Sequence, residues 1–230
     1  MMTEFFLLLL VGTIAGVDLV SGPQILLARP IVVGTLAGLI LGDPAGGVLV
    51  GGILELYALE VLPVGSTRYP DHGPGVVAAV WLTSQLGTSS AGFGVLVALG
   101  VAELGGWSLQ RLRRLNGHAL ALATPALAAG DERAITSLQL GGLLRDALRS
   151  VVLTAIGLLV ARALFPYALA EGRAGEAVSA VVIAIGLGGA VAGAIRTSGS
   201  QKRGALLAAA LVAGWSLATW VGAFPRPWGW

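Results

Sequence analysis

The distribution of apolar residues divides the chain into two unlike halves. In the C-terminal half, residues 177–195 and 204–225 carry no charge, and residues 150–170 carry only Arg162. Each run is close to the roughly 20 apolar residues that a membrane-spanning helix needs. The pattern therefore predicts three regular transmembrane helices in this half.

The apolar runs of the N-terminal half are shorter and interrupted. Residues 30–42 and 44–54 give only 13 and 11 uncharged positions. Short hydrophobic segments broken by Gly and Pro are typical of re-entrant or broken helices. Residues 73–102 are uncharged over 30 positions, and we expect the "GTSS" at 87–90 to divide them into two helices.

Loop charge gives a topology for the C-terminal half. Residues 108–149 hold six arginines against three acids, and residues 196–203 hold three basic residues and no acid. The positive-inside rule places both in the cytoplasm and residues 171–176 outside. Within 108–149, apolar positions at helical spacing, among them Leu144 and Leu148, predict an amphipathic helix on the membrane surface or under partner helices.

Small residues recur on two helix faces. The two stripes repeat every four residues and consist of Gly34, Gly38 and Gly42, and of Gly47, Gly51 and Glu55. Residues four apart share a helix face. The first stripe favours close helix packing. The second ends in a carboxylate, which a neighbouring backbone or a ligand could approach.

Acidic residues interrupt the apolar part of the chain at Asp18, Glu55, Glu60 and Asp71. A charged side chain deep in a bilayer costs about 2.5–3.5 kcal/mol on insertion scales. These carboxylates must therefore face a cavity, a partner or water. Because Pro63, Gly65 and Pro70 break any helix nearby, we expect residues 51–73 to line a polar cavity.

Alternatives remain open for individual residues. Residues 61–73 could form an ordinary external loop, and Asp18 could pair with an arginine such as Arg29. Asp43 precedes a proline, which favours a role in capping a helix start.

Composition narrows the classes of function. Of 230 residues, 56% are hydrophobic and 11% are charged, whereas soluble domains carry about 25% charged residues. This predicts an all-α, polytopic integral membrane protein. The net charge of +2 does not indicate a nucleic-acid surface, and the sequence carries no enzyme motif or metal-ligand spacing. Carboxylates with Gln24 and Ser66 suit a hydroxyl-rich solute such as a sugar, although cations would fit too.

Three quoted stretches resemble one family. They are "RPIVVGTLAGLILGD" at 29–43, "GGILELYALEVLPVGS" at 51–66 and "PDHG" at 70–73, and "LLRDALRSVV" at 143–152 agrees with a later family segment. The chain resembles the IIC membrane component of the mannose/fructose/sorbose class of sugar phosphotransferase systems.

The resemblance implies a subunit that imports a hexose-type sugar and is not itself an enzyme. Phosphoryl transfer would occur on soluble IIA and IIB partners, and a IID membrane subunit would complete the path. No cofactor, metal or catalytic residue is implied, and we expect an oligomer. The implied sugar contacts are Gln24, Glu55, Gly65, Ser66 and Asp71. Glu55 and Asp71 would hydrogen-bond the sugar hydroxyls, and the other three residues would close the pocket.

These expectations combine into one architecture. We expect a single multi-pass domain over 1–230 in the inner (plasma) membrane. Its parts are a broken-helix substrate path at 1–107, a cytoplasmic, amphipathic connection at 108–149 and a transmembrane scaffold at 150–230. The alternatives are an ion-coupled secondary transporter of a small polar solute, and a non-transporting membrane receptor or scaffold subunit.

Overall fold

Helices make up every regular element of the ranges that the structure, a computed structural model, describes: residues 2–60, 67–170 and 172–197. The helices are α1 (Met2–Asp18), α2 (Pro30–Leu41), α3 (Pro44–Glu60), α4 (His72–Leu86), α5 (Ala91–Ala128), α6 (Glu132–Ala170) and α7 (Gly172–Thr197). A short 3-10 turn, Thr88–Ser90, precedes α5. The predicted all-α class is confirmed.

Helices α2 and α3 are short and pack tightly against each other as a helical hairpin. The 12 residues of α2 extend about 18 Å at 1.5 Å per residue, well short of the roughly 30 Å hydrocarbon core. Gly34 and Gly38 of the first stripe face Gly47 and Gly51 of the second, since a Cβ on Gly34 would lie 2.8 Å from Gly51 Cα and one on Gly38 would lie 2.9 Å from Gly47 Cα. Asp43 caps α3, because its Oδ1 accepts a hydrogen bond from the Gly46 amide at 2.9 Å. Both expectations, close packing and a capping aspartate, are confirmed.

Helix α4 lies at the centre of the described bundle. It packs against α1, α2, α3, α5 and α6, and its residues 72–80 are all buried. The helix ends where the sequence predicted a break, at Gly87. Its φ of 89° is a conformation that glycine adopts readily and other residues rarely adopt. At 15 residues, α4 is about 22 Å long and does not cross a bilayer by itself.

Helices α5 and α6 are longer than the sequence predicted. Residues 108–128 continue α5 and residues 132–149 begin α6, so most of the predicted connection is helical. Few residues there disfavour a helix, and the chain reverses only near Gly130, at φ 77°. A hydrogen bond of 2.6 Å from Arg145 Nη1 to Asn116 Oδ1 joins the two extensions. The predicted amphipathic helix is the first part of α6, with Leu140, Leu144 and Leu148 exposed.

Three helical stretches of the described residues are long and apolar enough to cross a membrane: Thr88–Ala128, Glu132–Ala170 and Ala174–Ile195. Two of them contain the spans predicted at 150–170 and 177–195. The span predicted at 204–225 lies outside the described residues. The division of 1–230 into three functional parts stays a prediction.

Candidate functional site

A cavity of about 290 Å³ lies where the end of α1, the start of α2 and the start of α4 meet. Its polar lining consists of Asp18, Gln24, Arg29, Tyr69 and His72, and apolar side chains supply the remaining wall. The cavity therefore sits among the broken helices of the N-terminal half, where the sequence predicted polar groups.

The loop between α1 and α2, residues 19–29, is organised by the carboxylate of Asp18. Its Oδ1 accepts a hydrogen bond from the Ile25 amide at 3.0 Å, and its Oδ2 accepts one from the Ala28 amide at 3.1 Å. These bonds satisfy backbone donors that a non-helical segment would otherwise leave free. Because each carboxylate oxygen has two lone pairs, Asp18 retains acceptor capacity toward the cavity.

Gln24, one of the predicted sugar contacts, lines this cavity from the same loop. Its φ is 54°, in the left-handed region, and Leu26 follows with a φ of 71°. Left-handed backbone at residues other than glycine is costly and concentrates at functional sites. The Gln24 amide donates a hydrogen bond to the Leu19 carbonyl at 3.3 Å, which leaves its side-chain oxygen available.

Glu55, a second predicted contact, stands behind Arg29 and does not belong to the cavity lining. Its Oε1 forms an ion pair with Arg29, and its Oε2 accepts a hydrogen bond from the Ile31 amide at 3.1 Å. Glu55 therefore interacts with the first turn of α2, where a negative charge is favourable. The alternative that Asp18 pairs with Arg29 is wrong, because Asp18 binds the loop backbone and Arg29 binds Glu55.

Asp71, a third predicted contact, is buried on the side of its segment that faces away from the cavity. Its Oδ2 lies 2.8 Å from Arg149 Nη1, and its own amide donates to the Ala102 carbonyl at 3.0 Å. A Cβ on Gly105 would lie only 2.7 Å from Asp71 Cβ, so glycine lets this segment rest directly on α5. Tyr69, Pro70 and His72, on either side of Asp71, form cavity wall.

Arg149 connects four elements beneath the cavity. Besides Asp71, its guanidinium contacts Asp146 Oδ1 at 2.8 Å, and Asp146 Oδ2 accepts a hydrogen bond of 2.5 Å from Ser21. Further contacts are Ser108 Oγ at 3.2 Å, Ser150 Oγ at 3.3 Å and the Gly16 carbonyl at 3.5 Å. We call Asp71, Asp146 and Arg149 the buried charge cluster. With all three ionised, its formal charge is −1.

Tyr69 and His72 complete the polar wall. The Tyr69 hydroxyl accepts a hydrogen bond of 2.8 Å from Arg113 of α5, whose guanidinium also lies 5.0 Å from the Tyr69 ring centroid. Arg113 donates as well to the Thr67 carbonyl at 2.9 Å. The segment in front of α4 is thereby attached to the extension of α5. His72 is 9% exposed, and neither ring nitrogen has a hydrogen-bond partner among the described residues.

The remaining predicted contacts, Gly65 and Ser66, lie outside the described residues. The structure thus places Gln24 on the cavity, while Glu55 and Asp71 each hold an arginine nearby. Sequence reasoning did not anticipate Asp146 and Arg149. Their opposite charges three residues apart, just before the apolar run from Ser150, were a signal, but only the packing shows that they meet Asp71.

A larger hollow of about 510 Å³ has a different character. It lies between α5 and α6, and its lining is apolar except for Tyr167. Such a groove suits acyl chains or an apolar helix, because it offers almost no hydrogen bonds to a polar solute.

The comparison with family models decides the classification. A model described as the sorbose-specific IIC component of the phosphotransferase system matches residues 2–186. The chain belongs to this family. The predicted resemblance is therefore confirmed, as is its placement among multi-pass plasma-membrane proteins.

Individual relatives agree with this classification. The fructose permease IIC component of Bacillus subtilis is 31% identical over 161 residues, which cover 68% of this chain and 58% of that protein. The matches to the sorbose-specific EIIC component of Klebsiella pneumoniae and the mannose-specific EIIC component of Escherichia coli cover 29% and 55% of those proteins. The chain thus spans about half the length, or less, of these relatives.

Two solved structures share the fold. One, described as a membrane protein, has a TM-score of 0.71 at 20% identity and covers 98% of this chain and 97% of its own. The other is a mannose transporter ManYZ in complex with microcin E492, with a TM-score of 0.54 at 19% identity and coverages of 98% and 96%.

Proposed function

We propose that this IIC-family chain is the membrane translocation component of a phosphoenolpyruvate-dependent sugar phosphotransferase system, and that it binds and imports a hexose-type sugar. The observation that carries the proposal is the polar cavity among the broken helices of α1–α4. A hollow lined by several hydrogen-bonding groups among apolar helices is costly unless a polar solute or water uses it.

The chemistry of the cavity suits a single neutral sugar ring. Its volume of about 290 Å³ is near the lower end of small-molecule pockets, about 300 Å³, which favours a monosaccharide over a longer saccharide. Asp18 and the side-chain oxygen of Gln24 supply acceptors, Arg29 supplies donors, and Tyr69 supplies an aromatic ring. Each hydrogen bond to a charged group contributes about 1.5–3 kcal/mol.

Glu55 and Asp71 act in this proposal through the groups that they hold. Glu55 fixes Arg29, whose neighbours on both sides line the cavity, and Asp71 anchors the segment that carries Tyr69 and His72. Gln24 would touch the sugar directly. Gly65 and Ser66 remain proposed contacts from the same region of the chain.

Two observations, the charge of the α5 and α6 extensions and the shared fold with a transporter, support the proposed partner subunits. Arg113, on the arginine-rich extension of α5, binds the cavity residue Tyr69 and the carbonyl of Thr67. The positive-inside rule places this extension in the cytoplasm. Soluble IIA and IIB components would phosphorylate the arriving sugar there. A IID membrane subunit would pair with this chain, as supported by the shared fold with a ManYZ transporter.

The test uses membrane vesicles from the native cells, in which a variant chain replaces the chromosomal copy. Fructose, mannose and sorbose are offered with phosphoenolpyruvate and the soluble cell fraction inside. We expect a sugar phosphate to appear inside wild-type vesicles and to be absent with Glu55→Gln, since that change releases Arg29. Glu103→Gln is the matched control, because Glu103 is exposed and pairs with Arg68 at 3.4 Å. Normal uptake by Glu55→Gln would contradict the assignment of the cavity.

An ion-coupled transporter is the second candidate, and the buried charge cluster favours it. Two carboxylates against one guanidinium leave a carboxylate that could carry a proton or a sodium ion. That mechanism predicts accumulation of unmodified sugar, which collapses when an ionophore removes the gradient. If the vesicles accumulate sugar phosphate and no unmodified sugar, the ion-coupled mechanism is excluded.

A further inference from the structure

His72 is a buried polar side chain that the fold does not satisfy. It begins α4, it is 9% exposed, and it belongs to the residues that line the cavity. Neither Nδ1 nor Nε2 has a hydrogen-bond partner among the described residues. Buried side-chain nitrogens are almost always paired, so an unpaired imidazole at a cavity wall calls for an explanation.

The immediate surroundings do not supply the missing partner. The carboxylate of Asp71, next in sequence, is paired with Arg149, and that of Asp18 faces the loop amides of Ile25 and Ala28. The Tyr69 hydroxyl is bound by Arg113. Because both nitrogens are almost fully shielded, a solute in the cavity can bond to one of them once the ring turns toward the cavity.

A neutral imidazole has one donor and one acceptor nitrogen, and a hydroxyl group can satisfy either of them. A carboxylate or phosphate group could satisfy only the donor. The ring thus matches a neutral, hydroxylated solute better than an anionic one. We propose that His72 is a specificity-determining contact, which hydrogen-bonds one particular hydroxyl of the imported monosaccharide. The inference rests on the proposed function and assigns it one more residue.

The substitution His72→Leu tests sugar recognition by His72 separately from any role of His72 in folding. Leucine fills a similar volume without polar atoms, and removing an unsatisfied buried group is neutral or stabilising. We expect His72→Leu to keep the melting temperature of the wild-type chain in lipid nanodiscs or to raise it. We expect its affinity for the imported sugar to fall about 10- to 100-fold, because a site built around a hydroxyl depends on that bond.

The experiment measures binding of fructose, mannose and sorbose, and of their monodeoxy analogues, to the full-length chain and its variants. For one deoxy position, wild-type and His72→Leu should bind the analogue equally, since the analogue lacks the hydroxyl that His72 would bind. His72→Asn and His72→Gln each restore one nitrogen-like position, and one of them should recover part of the affinity. His118→Leu is the control, because the other histidine is exposed on the α5 extension.

The outcomes distinguish the two levels of the proposal. Unchanged affinity in His72→Leu overturns the role of His72 and leaves the proposed function intact. An equal loss for the parent sugar and every deoxy analogue also overturns it, because the ring would then act only through the shape of the cavity. Failure of the wild-type chain to bind any of the sugars overturns the proposed function, and with it this inference.

Discussion

Replacement of Arg149 by methionine removes the cation of the buried charge cluster. The guanidinium has five donors and reaches two carboxylates, two hydroxyls and one carbonyl within 3.5 Å. Its side chain is 8% exposed, and those of Asp71 and Asp146 are 1% and 0% exposed. Arg149→Met would therefore leave two carboxylates buried without a cation, and the formal charge of the cluster would change from −1 to −2.

The expected loss follows from that geometry. Breaking a buried ion pair by removing one partner costs about 3–5 kcal/mol. At 1.4 kcal/mol per tenfold, the unfolding equilibrium constant should rise about 10²- to 10⁴-fold. Arg149→Lys keeps the charge but offers three donors, so we expect about half of the loss. Adding Asp71→Asn to Arg149→Met removes one unpaired charge and should restore about 1–3 kcal/mol.

Reversible unfolding in mixed micelles measures these differences, with the six tryptophans of the chain as a fluorescence signal. Arg145→Met is the matched control on the same helix, because among the described residues Arg145 bonds to the neutral side chain of Asn116 and to no carboxylate. We expect that control to lose about 1 kcal/mol or less. If Arg149→Met is no less stable than Arg145→Met, the buried charge cluster does not stabilise the fold and the reasoning is refuted.

Three further substitutions test separate parts of the fold. Asp18→Ala removes both carboxylate acceptors of the 19–29 loop, so we expect sugar binding to be lost and the free energy of unfolding to fall by about 2–4 kcal/mol. Normal sugar binding by this variant would contradict the role of Asp18 at the cavity. Gly47→Leu should prevent folding because its Cβ would lie 2.8 Å from Gly38 Cα, whereas Gly52→Leu faces open space and should give a normal yield of protein in the membrane. Equal yields of the two variants would contradict the close packing of α2 on α3. Asp43→Ala should cost about 1 kcal/mol in unfolding experiments without changing sugar uptake, and a loss of uptake would show that Asp43 does more than cap α3.

Short-range features of the fold were predictable from the sequence. The glycine stripes, the capping role of Asp43 and the break near Gly87 depend on residues within a few positions of each other, so local chemistry determines them. The quoted motifs also predicted the family to which the chain belongs. The sequence predicts an amphipathic helix within 108–149, but it does not predict that α5 continues over 108–128 or that the later helix is continuous with the span at 150–170. The arginines there indicate a cytoplasmic connection by their charge, yet arginine is also a good helix former.

The candidate site was less predictable because its contacts are distant in sequence. Carboxylates were expected to bind the sugar, yet Glu55 holds Arg29 and Asp71 holds Arg149, at separations of 26 and 78 residues. Charge alone cannot tell a ligand contact from a residue that pairs with another side chain. The polar groups that do line the cavity, such as Tyr69 and His72, came from the irregular segment that the sequence indicated.

The absence of cysteine from the chain offers the most direct measurement of the central claim that this cavity holds sugar. A single Ala58→Cys places a thiol on the cavity wall, and Ala119→Cys places one on the α5 extension, away from it. At ten times the dissociation constant, fructose, mannose or sorbose should slow maleimide labelling of Ala58→Cys about tenfold and leave Ala119→Cys unchanged. Labelling of Ala58→Cys at an unaltered rate, under conditions where the same sugar is shown to bind, would contradict the account.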